Sequence, residues 1–269
     1  MQAKSIAQVI KQLDEIVDWS IEHNSRAGYF AALYRKVTIK IQEGIKQGSF
    51  EDNARMERFD VIFANRFLRA HALWQAGKNP TMVWQTTFHA LKSWQPLVLQ
   101  HLLLGMNAHI NLDLGIAAAR TAPGSKLASL ENDFNKINDV LAELVNSVVD
   151  ELCQIWPPLR LLTVGKADNV LANFSMDKAR AESWAFAETL AALKVADQED
   201  EIRDKDYQMA KLGMVFANPG AMLNLALLPV RVGERGSIVQ KIHVLSQPTT
   251  EMKSMELNLY SDFNVWPLI

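Results

Sequence analysis

Apolar residues recur every three to four positions from Ile6 to about Phe216, the spacing of amphipathic α-helices rather than of strands. The pattern predicts helices over 3–23, 29–47, 52–77, 80–93, 96–120, 125–156, 177–196 and 199–216. Breakers support several of these boundaries. Asn79-Pro80 offers an N-cap followed by a proline at the first helical position, where the missing N–H does no harm, and Pro96 does the same for the next helix. Ala122-Pro123-Gly124-Ser125 ends one helix and supplies a capping serine, and Trp156-Pro157-Pro158 stops another. Residues 159–176 read as irregular with a short helix. The charge run at 197–206 (DQEDEIRDKD) reads as the solvated start of a helix. Beyond Pro219 the pattern loosens. VRVGERG at 230–236 predicts a turn, Ser237–Ser246 a final helix, and the segment after Pro248 an extended strap. Its Tyr260, Phe263 and Trp266 are expected to dock on the body or on a second subunit, as in a homodimer.

One stretch departs from ordinary amphipathic patterning. From Ser93 to Ala119 the chain reads SWQPLVLQHLLLGMNAHINLDLGIAAA, and its only formally charged residue is Asp113. A helix apolar around most of its circumference is buried. Gln100, His101, Asn107, His109, Asn111 and Asp113 are nevertheless threaded through it, and each costs roughly 1–3 kcal/mol if buried without a partner. At about 100° per residue, His109 and Asp113 share one side. Asn107 and Asn111 share another, roughly 160° away by the same arithmetic, with Gln100 on the asparagine side. No internal repeat or low-complexity linker divides the chain. The expected architecture is all-α: a single-domain multi-helix bundle over 1–269 around a buried central helix at about 96–120. Its core would span about 3–216, with a loosely structured C-terminal strap over about 217–269.

Composition narrows the function classes. A hydrophobic content of 49% is ample for a core. With 28 basic against 30 acidic residues and no dense basic run, nucleic acid is not the expected partner. The single cysteine, Cys153, excludes an intramolecular disulfide and a thiolate metal cluster, and reads as a small core residue. The N-terminus is amphipathic and charged, unlike a secretory signal. The longest apolar run, Leu97 to Met106, falls short of the about 20 residues a bilayer requires. No membrane span is therefore expected, and a cytoplasmic location is the default.

The candidate chemistry centres on His109 and Asp113. Their His-x-x-x-Asp spacing sets an imidazole nitrogen and a carboxylate one turn apart, as ligands of a single zinc or iron ion would be. Further ligands would have to come from His101, His89, His71 or Asp60. In the alternative, Asp113 accepts a hydrogen bond from His109 or pairs with an arginine. Arg66 lies within the phenylalanine-rich face of helix 52–77 and Arg180 within the apolar face of 177–196. Buried guanidinium groups require partners, and Asp113 is the obvious one. Glu182 and Glu188 flank the face that carries Arg180. Trp74, Trp84, Trp94, Trp156 and Trp184 are numerous enough to line an apolar pocket, and equally suit core packing.

Three functions follow. In a metal-dependent hydrolase, His109 and Asp113 hold a divalent ion that activates water. His101 or Glu188 acts as general base, and Arg66 or Arg180 stabilises developing negative charge. In a metal-free pocket for a small, partly apolar substrate or ligand, Asn107, Asn111, Arg180 and Trp184 orient the bound molecule. In a structural or interaction protein, the network specifies helix register alone.

Around QHLLLGMNAHINLDLG the sequence resembles a bacterial family of helical proteins of unknown function, marked by an HINxDL signature. The residues here are His109, Ile110, Asn111, Leu112, Asp113 and Leu114. The resemblance extends through RFDVIFANRFLRAH at 58–71 and ARAESWAFAETLA at 179–191. More distantly, the His109/Asp113 pair and Trp184 with Glu188 are similar to motifs of the all-helical zinc-dependent phospholipase C and single-strand nuclease superfamily. That similarity implies a hydrolase with a reduced metal site or none, because the chain has no second His-x-x-x-Asp pair.

Overall fold

Every regular element in the computed structural model, which describes residues 2–159 and 176–248, is a helix. In chain order they are α1 (Ile6–Glu22), α2 (Ala27–Lys46), α3 (Asn53–Gln75), α4 (Met82–Ala90) and α5 (Val98–Ala108). A π-helical turn (His109–Leu114), α6 (Gly115–Thr121), a 3-10 segment (Gly124–Leu130) and α7 (Glu131–Ile155) follow. The set closes with α8 (Met176–Ala192), α9 (Val195–Ala217), α10 (Ala221–Gly233) and α11 (Ile238–Leu245).

The segment α5–π–α6 is the axis of this all-α bundle. Leu102, Leu104, Leu112, Leu114 and Ile116 are all buried, and α2, α3, α4, α8 and α9 pack around them. Val98–Thr121 is apolar and long enough to cross a membrane, yet 89% of its most apolar window is buried inside the molecule. Two glycines bring neighbours close to this axis. A Cβ at Gly105 would lie 2.3 Å from the Phe30 ring, and one at Gly115 would lie 2.7 Å from the Ser183 carbonyl oxygen. Only hydrogen fits at either position.

The helix starts differ from the sequence expectation. Neither Asn79-Pro80 nor Pro96 begins a helix: α4 starts at Met82 and α5 at Val98. Their free N–H groups are satisfied from far along the chain. The Asp206 carboxylate of α9 accepts from the Met82 and Val83 amides at 2.7 and 2.9 Å. Glu234 accepts from the Val98 amide at 2.8 Å. Asp206 therefore ends a charge run expected to be solvated, and is itself buried. Ser125 caps nothing, because a 3-10 segment occupies 124–130 and α7 begins only at Glu131.

The C-terminal region holds the largest departure. Residues 230–233, expected as a turn, complete α10, which runs through Pro229. The turn comes later, with Gly236 at φ +84°. The final helix is found where expected, capped by Ser237. Its Ile242 and Leu245 are buried in the same core as α1 and α2, so the fold extends well past residue 216. Residues 159–176 fall mostly, and the strap after Pro248 entirely, outside the described residues.

Candidate functional site

Asp113 is the centre of a buried polar cluster. It lies in the π-helical turn, where unbroken α-helix was expected, and π-type turns are frequent at functional sites. One carboxylate oxygen accepts from Arg66 Nε at 2.5 Å. The other accepts from Trp84 Nε1 at 2.8 Å and faces His109 Nδ1 at 3.3 Å. Burial, the largest single influence, pushes the Asp113 carboxyl up, but Arg66, His109 and Trp84 together outweigh it. The carboxyl is held below its ordinary value and remains an anion.

An ionised carboxylate can only accept, so His109 donates from Nδ1 and carries no proton on Nε2. Burial, opposed by Asp113, lowers the affinity of His109 for a second proton and keeps the ring neutral. Nε2 is buried without a hydrogen-bond partner. The imidazole is clamped between aromatics: Phe63 stacks on it at 3.6 Å and 7°, and the Tyr34 ring meets it edge-on at 4.5 Å.

Two further groups share this environment. The Tyr34 hydroxyl is buried without a hydrogen bond of normal length; burial first and the charge on Asp60 next raise its pKa, and the nearby Thr38 side chain partly offsets them. Asp60, on the face of α3 that carries Phe63 and Phe67, has Oδ2 buried and unpartnered. Burial, assisted by Glu57, pushes its carboxyl up to about 7. A neutral base and a protonated phenol thus meet ring against ring, with an acid poised near neutrality close enough to act on the phenol. Phe63 and Arg66 are half-buried, so the cluster approaches solvent on the α3 side. That edge carries three arginines, Arg66, Arg69 and, on α6, Arg120, against the carboxylates of Asp113 and Glu199, the latter 3.9 Å from Arg120.

This π-turn is the HINLDL segment, and comparison with known families places it. The match to DUF5995, described as a family of unknown function, covers residues 6–219. The chain belongs to that family. Helices α10 and α11 lie beyond the matched range. No curated protein and no solved structure matches the chain. The similarity to zinc-dependent phospholipases and nucleases finds no support in these comparisons.

The donors in this π-turn do not suit a metal ion. Among the described residues no three His, Cys, Asp or Glu side chains converge as ligands. Asp113 already accepts from three protein groups, and His109 Nδ1 is committed to it. Of the other ligand candidates, Asp60 borders the cluster on the Tyr34 side, and the histidines lie apart from this pair. His89 bonds the Gln85 carbonyl, and His71 sits among Trp19, Phe67 and Phe88 with its pKa lowered to about 4 by burial.

The remaining expected site residues fall in several places. Asn107 donates to the Met209 carbonyl and accepts from Asn111, while Gln100 donates to the Phe216 carbonyl. The asparagine side of the central helix thus binds α9 to the bundle. His101 does not share the His109 environment. It lies against Tyr29 with both ring nitrogens unpartnered, and burial, then Arg26 and Lys241, lower its pKa to about 3. Arg180 does not reach the central helix: it bonds Asn138 at 2.5 Å and the Phe134 carbonyl, over the Phe134 ring. Trp184 packs on that same ring. Glu188 is exposed, as is Glu182, so neither adjoins the His109 cluster. Sequence reasoning missed Tyr34 altogether, although its hydroxyl on the apolar face of helix 29–47 is the signal that marks it. It also missed the buried pair Lys36–Glu151, 2.5 Å apart between α2 and α7.

Proposed function

We propose that the signature segment forms a metal-free binding and proton-transfer site for a small, partly apolar, acidic molecule. His109 Nε2 is the base, Asp113 fixes its tautomer, and Arg66 and Trp84 hold Asp113. Tyr34 and Asp60 supply protons to the bound molecule, and the positive edge at Arg66, Arg69 and Arg120 favours an acidic group there. The observation that carries this reading is the unpartnered Nε2 of His109, buried beside the equally unpartnered Tyr34 hydroxyl. A base oriented through its other nitrogen by a carboxylate is the arrangement general-base chemistry needs. Leaving such atoms unpaired costs folding free energy, which a ligand that pairs with them restores.

A second reading has one observation in its favour. Both oxygens of Asp113 are taken by protein donors, so Asp113, Arg66 and Trp84 alone can serve to fix helix register.

A melting-temperature screen of small organic acids separates the two. It compares the wild type with H109Q and Tyr34→Phe, with and without chelator. A ligand at 100 times its Kd stabilises by about 2.7 kcal/mol. The expected result is a stabilising compound whose effect disappears in both variants and is indifferent to chelator. Hits that all survive both substitutions would refute the proposal.

A further inference from the structure

A cavity lies elsewhere, between the start of α2, the segment before α5, and the α10–α11 turn. It encloses about 310 Å³, within the range of small-molecule sites. Its charges are unbalanced. Arg26, Arg231 and Lys241 line it against a single carboxylate, Glu234. That carboxylate is already engaged on both oxygens, by the Val98 amide at 2.8 Å and by Lys241 Nζ at 3.0 Å. Arg26 donates one Nη1 bond to the Leu91 carbonyl. Arg231 has no such relief. Its Nε and Nη2 are buried without a hydrogen-bond partner, and its guanidinium lies 5.5 Å from the Trp94 ring centroid.

Nε–H and one Nη–H form the side edge of a guanidinium, two parallel donors whose spacing matches the two oxygens of a carboxylate or phosphate. Two such donors, withdrawn from water beside a cavity with surplus positive charge, suit an anion better than a neutral acceptor. Trp94, more than half exposed, and Tyr29 add aromatic surface to the wall. We propose that this cavity binds a small oxyanion-bearing molecule, its carboxylate or phosphate seated on the Nε/Nη2 edge of Arg231. The proposal is independent of the His109 site, and it draws on α10 and α11, outside the family-matched range.

The test is calorimetric titration of the full chain with benzoate, inorganic phosphate and uncharged benzamide. Wild type, Arg231→Met, Arg231→Lys and H109Q are compared, with melting curves to confirm that each variant is folded. Saturable binding of benzoate or phosphate is expected, and whichever anion binds identifies the source of the oxyanion. Arg231→Met should weaken it at least about tenfold, because it removes a charge-assisted bidentate contact. Arg231→Lys, which keeps the charge and loses the fork, should fall between the two, and H109Q should bind as the wild type does. Failure of both anions to bind, benzamide binding as well as benzoate, or undiminished affinity in folded Arg231→Met would each overturn the proposal.

Discussion

Asp113 remains charged with almost no exposed surface because Arg66, Trp84 and His109 converge on it. Removing one partner of a buried pair leaves the other charge uncompensated. Arg66→Ala should therefore cost about 3–5 kcal/mol in denaturant unfolding, and a loss below about 1 kcal/mol would mean that Asp113 finds other compensation. Replacing both His109 and Asp113 by apolar residues, nearly neutral if they only satisfied each other, would strand Arg66 instead. Asp60 supplies a pH signature. Its carboxyl titrates near 7 in the folded chain against about 4 when unfolded. The folded state holds that proton through the intervening window, so its stabilising contribution is present below pH about 4 and is lost as pH rises to about 7. Asp60→Asn cannot ionise. Its stability relative to wild type should rise across that window and then level off in urea melts, and an unchanged difference would contradict the assignment. At this scale the Arg66–Asp113 pair was legible, since a guanidinium on a phenylalanine-rich face demands a carboxylate. The part played by Trp84 was not, because an indole N–H that bonds a carboxylate has the same sequence signature as one packed in a core.

Among elements, the axis helix was legible from its near absence of charge, but its π-turn was not: an HINLDL stretch has the same apolar spacing in either winding. Helix starts were misplaced for a related reason. Local signals such as Asn79-Pro80 and Pro96 were overridden by carboxylates on α9 and after α10, contacts that sequence adjacency cannot reveal. Asp206→Ala should cost about 1–2 kcal/mol, the upper range for an N-cap, since two buried amides lose their acceptor. Asp206→Asn, which retains one acceptor oxygen, should cost less, and equal losses would argue against capping. Gly115→Ala should destabilise by about 1–3 kcal/mol through overpacking, because the Ser183 carbonyl leaves no room for a methyl group. A neutral result in thermal unfolding would show that α8 yields.

Over the whole molecule, a single apolar core runs from Ala3 to Leu245, and its polar interruptions do different work. The asparagine side of the axis ties α9 in place although Asn111 Oδ1 stays unpartnered, Arg180 serves α7 and α8, and the His109 side keeps a bare ring nitrogen. That partition could not be read from spacing, which assigns a helix face without saying what meets it. The proposed site requires His109 to be a neutral, Asp113-oriented imidazole with a free Nε2 that takes no metal. Nitrogen-15 NMR of the histidine ring, assigned by its absence in H109Q, tests this directly. The predicted spectrum has a protonated Nδ1 and a bare Nε2 at neutral pH, with any titration displaced below the ordinary histidine value and no change on added zinc. A ring that titrates near pH 6.5, carries its proton on Nε2, or shifts on zinc addition would contradict the account.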